Sequence, residues 1–207
     1  MARNRPGSGQ VRIIAGQWRS RRLPIQDLEG LRPTTDRVRE TLFNWLSGEL
    51  SGARVLDCFG GSGALAMEAL SRYAAYARVF ELQKSAVVQL QSNLKTLKCE
   101  HADVVAGDSL NLLAQGPKGQ TARQDPASGQ GFDIIFIDPP FRKGLAENSI
   151  KALAAHNWLK PDALIYVETE SELQALPIPA DWHQLKEKTA GQVCYRLYRF
   201  EPESTQE

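Results

Sequence analysis

Four acidic residues follow directly on short apolar runs: Asp57 in VLDCFGGSG, Glu81 in VFEL, Asp108 in AGDSL and Asp138 in IDPPF. Between the first two, Gly61-Ser62-Gly63-Ala64-Leu65-Ala66 has the form G-x-G-x-x-A, in which glycine permits a tight strand-to-helix turn and lets a ligand approach the backbone. Glu81 lies 24 residues beyond Asp57, where a carboxylate can accept both hydroxyls of a ribose. That much fits the adenosine of NAD and that of S-adenosylmethionine equally. Asp108 and Asp138 separate the two. An ammonium group, a ribose and an adenine amine need acceptors spread along one crevice, whereas a dinucleotide needs a path for its pyrophosphate and gains nothing from an acid at Asp138. The pattern favours S-adenosylmethionine.

Such acids share a crevice only if the runs before them are parallel strands with their carboxyl ends on one edge. From Ala53 onward strand-like and helix-like segments alternate, which predicts a mostly parallel sheet with helices on its faces. Strands are expected at 54–59, 78–82, 103–107, 132–137 and 163–168, each apolar enough for burial on both faces. Helices are expected at 64–72, 84–98, 109–115 and 145–158, the second carrying Val87, Leu90, Leu94 and Leu97 on one face. Two strand-like runs, 182–188 and 193–200, flank a Gly-containing turn at 189–192 and read as an antiparallel hairpin closing the sheet edge. Upstream, 11–23 reads as a basic strand broken by Gly16. A helix then begins at Thr34 or Thr35, with Val38, Leu42, Trp45 and Leu46 as its apolar stripe. The expected organisation is a basic arm and helix over 1–50, a main α/β domain over 51–201 with an inserted loop at 116–131, and a disordered tail over 202–207.

With 207 residues, 42% of them hydrophobic, the chain can bury one ordinary core. No run approaches the roughly 18 apolar residues of a membrane span, and the first residues lack a signal-peptide core, so a soluble cytoplasmic protein is expected. Cys58, Cys99 and Cys194 are scattered and odd in number, as are His101, His156 and His183; neither set forms a disulfide framework or metal site, and the cysteines read as small buried residues. The net charge of +1 conceals an asymmetry. Residues 1–39 hold nine arginines against three acids, a surplus of six positive charges of the kind a nucleic-acid partner favours.

Taken together these residues resemble the class I methyltransferases, and more narrowly the bacterial family that methylates the exocyclic N2 of a guanine in 16S ribosomal RNA. The resemblance spans about residues 10–200 and rests on VRIIAGQWRSRRLP (11–24), GLRPTTDRVRETLFNWL (30–46), VLDCFGGSGALAMEALSR (55–72) and FIDPPF (136–141). The first two stretches are not general to methyltransferases. The resemblance implies a Rossmann-like fold in which Asp57, Phe59, Gly60, Gly61 and Gly63 hold the methionine part of the cofactor. Glu81, with Leu82 beside it, would bind the ribose, and Asp108 with Ser109 the adenine. Asp138, Pro139, Pro140 and Phe141 match the (N/D)-P-P-(Y/F) motif of amino methyltransferases. Cys58 and Gly60 depart mildly from a pattern that often has Leu and Ala there. A partly assembled small (30S) subunit as partner and a monomeric state are also implied.

The chemistry suits that motif. A ring-conjugated amine is a poor nucleophile; the Asp138 carboxylate and Pro139 carbonyl, each accepting one N–H, would orient it and favour the pyramidal nitrogen that attacks in line. Prolines donate no hydrogen bond and restrict φ, leaving those carbonyls for the substrate, while Phe141 offers a stacking face worth roughly 1–3 kcal/mol per base. Arg12, Arg19, Arg21, Arg22, Arg32, Arg37 and Arg39 are the expected phosphate contacts, with Trp18 open to stacking or packing. Rival readings are an amino methyltransferase acting on another base such as adenine N6, in DNA or RNA, and an inactive RNA-binding assembly factor.

Overall fold

The computed structural model describes residues 9–26, 35–117 and 130–202. Arg32, most of the expected 116–131 insertion and most of the tail lie outside the described residues. The chain opens with a two-stranded antiparallel ladder, β1 (Gln10–Arg12) and β2 (Arg22–Pro24), then helix α1 (Asp36–Trp45). It continues as β3 (Arg54–Asp57), α2 (Ala64–Ser71), β4 (Tyr76–Glu81), α3 (Lys84–Thr96), β5 (Ala102–Ala106), α4 (Ser109–Ala114), β6 (Phe132–Ile137), α5 (Leu145–Ala155), β7 (Leu159–Glu170), β8 (Trp182–Ala190) and β9 (Val193–Phe200).

The seven long-sheet strands lie in the order β5-β4-β3-β6-β7-β9-β8, parallel from β5 to β7 and antiparallel at β9 and β8. This is the expected Rossmann-like α/β architecture. Every residue of β3 and β4 is buried because the sheet is covered on both faces. Alternate side chains face opposite layers: Val55, Val79, Ile134 and Tyr166 join the core under α1 and α2, while Leu56, Phe80, Ile135 and Ile165 join that under α4 and α5. The chain moves outward from β3 to β5 and then returns to β6 on β3's other side, so the strand order reverses there and leaves a crevice at the carboxyl ends.

The expected broken strand at 11–23 is instead a hairpin-like pair, with Val11 opposite Leu23 and a loop between them. The loop at Ile14–Trp18 is hydrogen-bonded to the side of α2. Glu68, fully buried, accepts the N–H groups of Ile14 at 2.7 Å and Ala15 at 3.0 Å. Ser71 Oγ donates to Ala15 C=O at 2.6 Å and accepts Trp18 N–H at 3.0 Å. Gly16 has φ +81, and a Cβ there would stand 1.9 Å from Ser71 O, which explains the glycine. Val11, Ile13 and Leu23 belong to the same core as Val55 and Ile134, so the basic segment is packed into the main body.

Thr35 caps α1, its Oγ1 accepting Val38 N–H at 3.4 Å. The buried face of α1 includes Phe43, whose ring meets Phe136 edge-on, and Trp45 is only half-buried, resting on Tyr195 at 5.2 Å. At the other end, β7 runs longer than expected in both directions, and the β8–β9 turn narrows to Gly191 (φ +63) and Gln192. Cys58 and Cys194 are buried as expected, whereas Cys99 is half-buried. No helix among the described residues is long and apolar enough to cross a membrane.

Candidate active site

A crevice of about 660 Å³ occupies the carboxyl edge of the sheet. At one end its wall includes Phe59, Gly61, Glu81, Leu82, Asp108 and Ser109. Glu81 spans from β4 to the loop after β3: Oε2 accepts Gly61 N–H at 2.8 Å and Oε1 accepts Gln83 N–H at 2.7 Å, leaving each oxygen a further lone pair. Leu82 beside it is 64% exposed, a large apolar side chain left open in the crevice. Asp108 caps α4 through Asn111 N–H at 3.0 Å. Ser109 is buried, its Oγ donating to Cys58 C=O, so its hydroxyl ties α4 to the end of β3.

The glycines divide their work. Gly61 lines the crevice. A Cβ on Gly60 would come within 2.4 Å of Val79 Cγ1, and one on Gly63 (φ +74) within 2.4 Å of Leu90 Cδ2, so both let the loop lie close on β4 and α3. Asp57 also departs from the expected direct contact. It is 2% exposed, lies outside the crevice wall, and accepts Phe59 N–H at 3.3 Å. Burial, with the charges of Asp138 and Glu81 adding to it, pushes its carboxyl up to about 7. Three of the four strand-end acids line the crevice, and the fourth supports its floor.

At the other end Asp138, Pro140 and Phe141 line the wall, and Pro139 is buried behind them. Phe141 is half-buried, with part of its surface left for a ligand. The turn that follows places Arg142 at φ +61, unusual for a residue with a Cβ. Its N–H donates to Glu170 Oε1 at 3.3 Å, and its Nη2 to Glu172 Oε1 at 3.4 Å. Beneath, Tyr166 Oη donates to Glu168 Oε2 at 2.7 Å, and burial first, then the charges of Glu168 and Asp138, push this phenol well above its usual range. Glu170 and Gln192 line the same end and were not foreseen. The alternation Glu168-Thr169-Glu170 was the available signal for the first. Gln192 comes from a distant hairpin and had none.

Of the expected phosphate contacts, Arg12, Arg19, Arg21, Arg22 and Arg37 are exposed, Arg12 in an ion pair with Asp36 at 3.0 Å. Arg39 requires correction. It is 2% exposed and donates to Arg12 C=O at 3.0 Å and to Asp36, joining α1 to β1 beneath the surface. Trp18 is half-buried against the core edge.

The family described as Conserved hypothetical protein 95 matches residues 11–199. The ribosomal RNA small subunit methyltransferase D of Escherichia coli (strain K12) is 52% identical over 198 residues, 96% of this chain and 94% of that one. The protein of that name from Haemophilus influenzae is 51% identical over 193 residues, 92% of this chain and 94% of its own. The solved structure of yhhF from Escherichia coli superposes with a TM-score of 0.82 at 50% identity, covering 93% of this chain and 99% of that one. The M. jannaschii tRNA m1G37 methyltransferase shares the fold at 13% identity and a TM-score of 0.63, over 98% of this chain and 59% of its own.

Proposed function

This chain belongs to the family of the ribosomal RNA small subunit methyltransferase D proteins, described also as Conserved hypothetical protein 95, and on that premise we propose that it methylates the exocyclic N2 of a guanine in 16S ribosomal RNA with S-adenosylmethionine as donor. The observation that carries the reading is a single crevice with acceptors and an open leucine at one end and Asp138 with Phe141 at the other. The donor set fits the cofactor. Glu81, with the open Leu82 beside it, keeps lone pairs for ribose hydroxyls, Asp108 and Ser109 stand on the wall for the adenine, Phe59 and Gly61 for the methionine part, and the acid-rich wall suits a cationic ligand. When bound, S-adenosylmethionine supplies an electrophilic methyl on sulfur.

The chain's own residues do the rest. Asp138 and the Pro139 carbonyl accept the two N–H groups of the amine, turning its lone pair toward the methyl and stabilising the positive charge that develops on nitrogen. Asp138 then takes the surplus proton. Phe141 holds the ring by stacking, which requires the guanine to leave its own stack and enter the pocket. A partly assembled small subunit is the proposed substrate particle, approached through the exposed arginines, and the protein acts as a cytoplasmic monomer.

The test is to incubate the protein with labelled S-adenosylmethionine and small subunits from cells lacking it, then map the label. One N2-methylguanine in 16S RNA is expected. Label on another base, or none, would overturn the reading.

A further inference from the structure

We propose that Glu170 and Gln192 select guanine by reading the two groups of its edge beside the reacting amine; this rests on Asp138 and Phe141 forming the amine site. The parallel register sets Ile137 beside Val167, so Asp138 stands level with Glu168, and Glu170, the last residue of β7, lies two residues further along the neighbouring strand, about 7 Å by the strand rise. Glu170 Oε1 is occupied by Arg142 N–H, while Oε2 makes no hydrogen bond to any described residue. Gln192 is brought to the same place by the hairpin turn: Glu170 pairs with Val193, and Ser171 N–H donates to Gln192 C=O at 2.9 Å. Its side-chain amide also has no partner among the described residues, and Glu170 and Gln192 both line the crevice that Asp138 and Phe141 line.

Guanine presents an acceptor at O6, a donor at N1 and two donors at N2, side by side. The complementary wall is donor, acceptor, acceptor. The Gln192 amide N–H faces O6, Glu170 Oε2 accepts N1–H, and Asp138 accepts from N2. Adenine would set the N1 lone pair against the Glu170 carboxylate and an amine where Gln192 donates. A wrong base thus leaves desolvated polar groups unpaired or opposed, which is how sites built to hydrogen-bond a group reject analogues lacking it. The Arg142 N–H bond aims Glu170 and leaves Oε2 for the base.

The experiment uses small subunits reassembled around 16S RNA in which the guanine modified by the wild type is replaced by 2-aminopurine. That base keeps the N2 amine but lacks O6 and N1–H. The wild type should methylate guanine subunits about 100-fold faster in kcat/KM than 2-aminopurine subunits. Glu170→Ala and Gln192→Ala should each slow guanine selectively and bring the ratio within about 10-fold, with S-adenosylmethionine affinity unchanged. Gln192 is exposed in a turn, so its variant keeps the test meaningful even if Glu170→Ala disturbs the Arg142 turn. Variants that retain the wild-type ratio overturn this assignment alone. A wild type that methylates no guanine in the unmodified subunit overturns the functional reading as well.

Discussion

Asp138 and Asp57 stand one residue past β6 and at the last residue of β3, yet their surroundings give them opposite tasks. Asp138 is half-buried in the crevice wall, where the proposed reaction has it accept the substrate amine. Asp138→Ala should bind S-adenosylmethionine within about twofold of the wild type while methyl transfer falls by roughly 10²–10⁴-fold, the usual worth of a positioned proton acceptor. Near wild-type transfer would remove Asp138 from the chemistry. Asp57 is sealed beneath the loop, its carboxyl raised from 3.8 to about 7. Between those values the folded chain keeps a proton that the unfolded chain has released. The stabilisation is fully present below the lower value and is lost as pH rises through the upper one. The thermal midpoint of the cofactor-free protein should therefore drop from about pH 5 to about pH 8 by the equivalent of a few kcal/mol, and Asp57→Asn should flatten the drop. Parallel melting profiles for the two proteins would contradict this.

Among the elements, α2 does more than its apolar sequence suggests. It starts at the glycine loop and carries on its outer side the two polar residues, Glu68 and Ser71, that hold the β1–β2 loop. Glu68→Ala leaves the N–H groups of Ile14 and Ala15 without their acceptor and removes the partner of Arg72 Nε at 2.8 Å. Each orphaned buried donor costs about 1–3 kcal/mol, so the melting midpoint should fall by at least several degrees. Gly16→Ala should do the same through the clash with Ser71 O and a strained φ. Calorimetry checks both, and an unchanged midpoint in both variants would mean that the loop does not depend on α2.

At the scale of the whole molecule, charge and fold meet in the same segment. Removing residues 1–24 would strip Val11, Ile13 and Leu23 from the core, so point substitutions separate binding from stability more cleanly. Arg19→Ala and Arg22→Ala should each weaken RNA binding and reduce the slope of log affinity against log salt by about one. Arg39→Ala should leave that slope intact and lower the melting midpoint, because its buried guanidinium is engaged by Arg12 C=O and by the exposed Asp36 carboxylate. Filter binding over a salt series, beside a melting curve for each variant, distinguishes the outcomes.

Local patterns were enough to place the parallel sheet, the glycine turn and the acids at the ends of β3 to β6. Strand burial, tight turning and carboxyl-end placement are written in runs of five or six consecutive residues. The DPPF motif was legible for the same reason. What no local pattern carried was the sorting of like residues by depth: Asp57 beneath the crevice and Asp138 in its wall, Arg39 inside and Arg37 outside, Glu68 as the acceptor for a loop more than fifty residues away. Nor did it carry the meeting of Glu170 with Gln192, which depends on β9 folding back along β7. Depth and long-range pairing arise only when elements pack, so the sequence determined which groups the chain possesses and the tertiary structure decided which of them a ligand can reach.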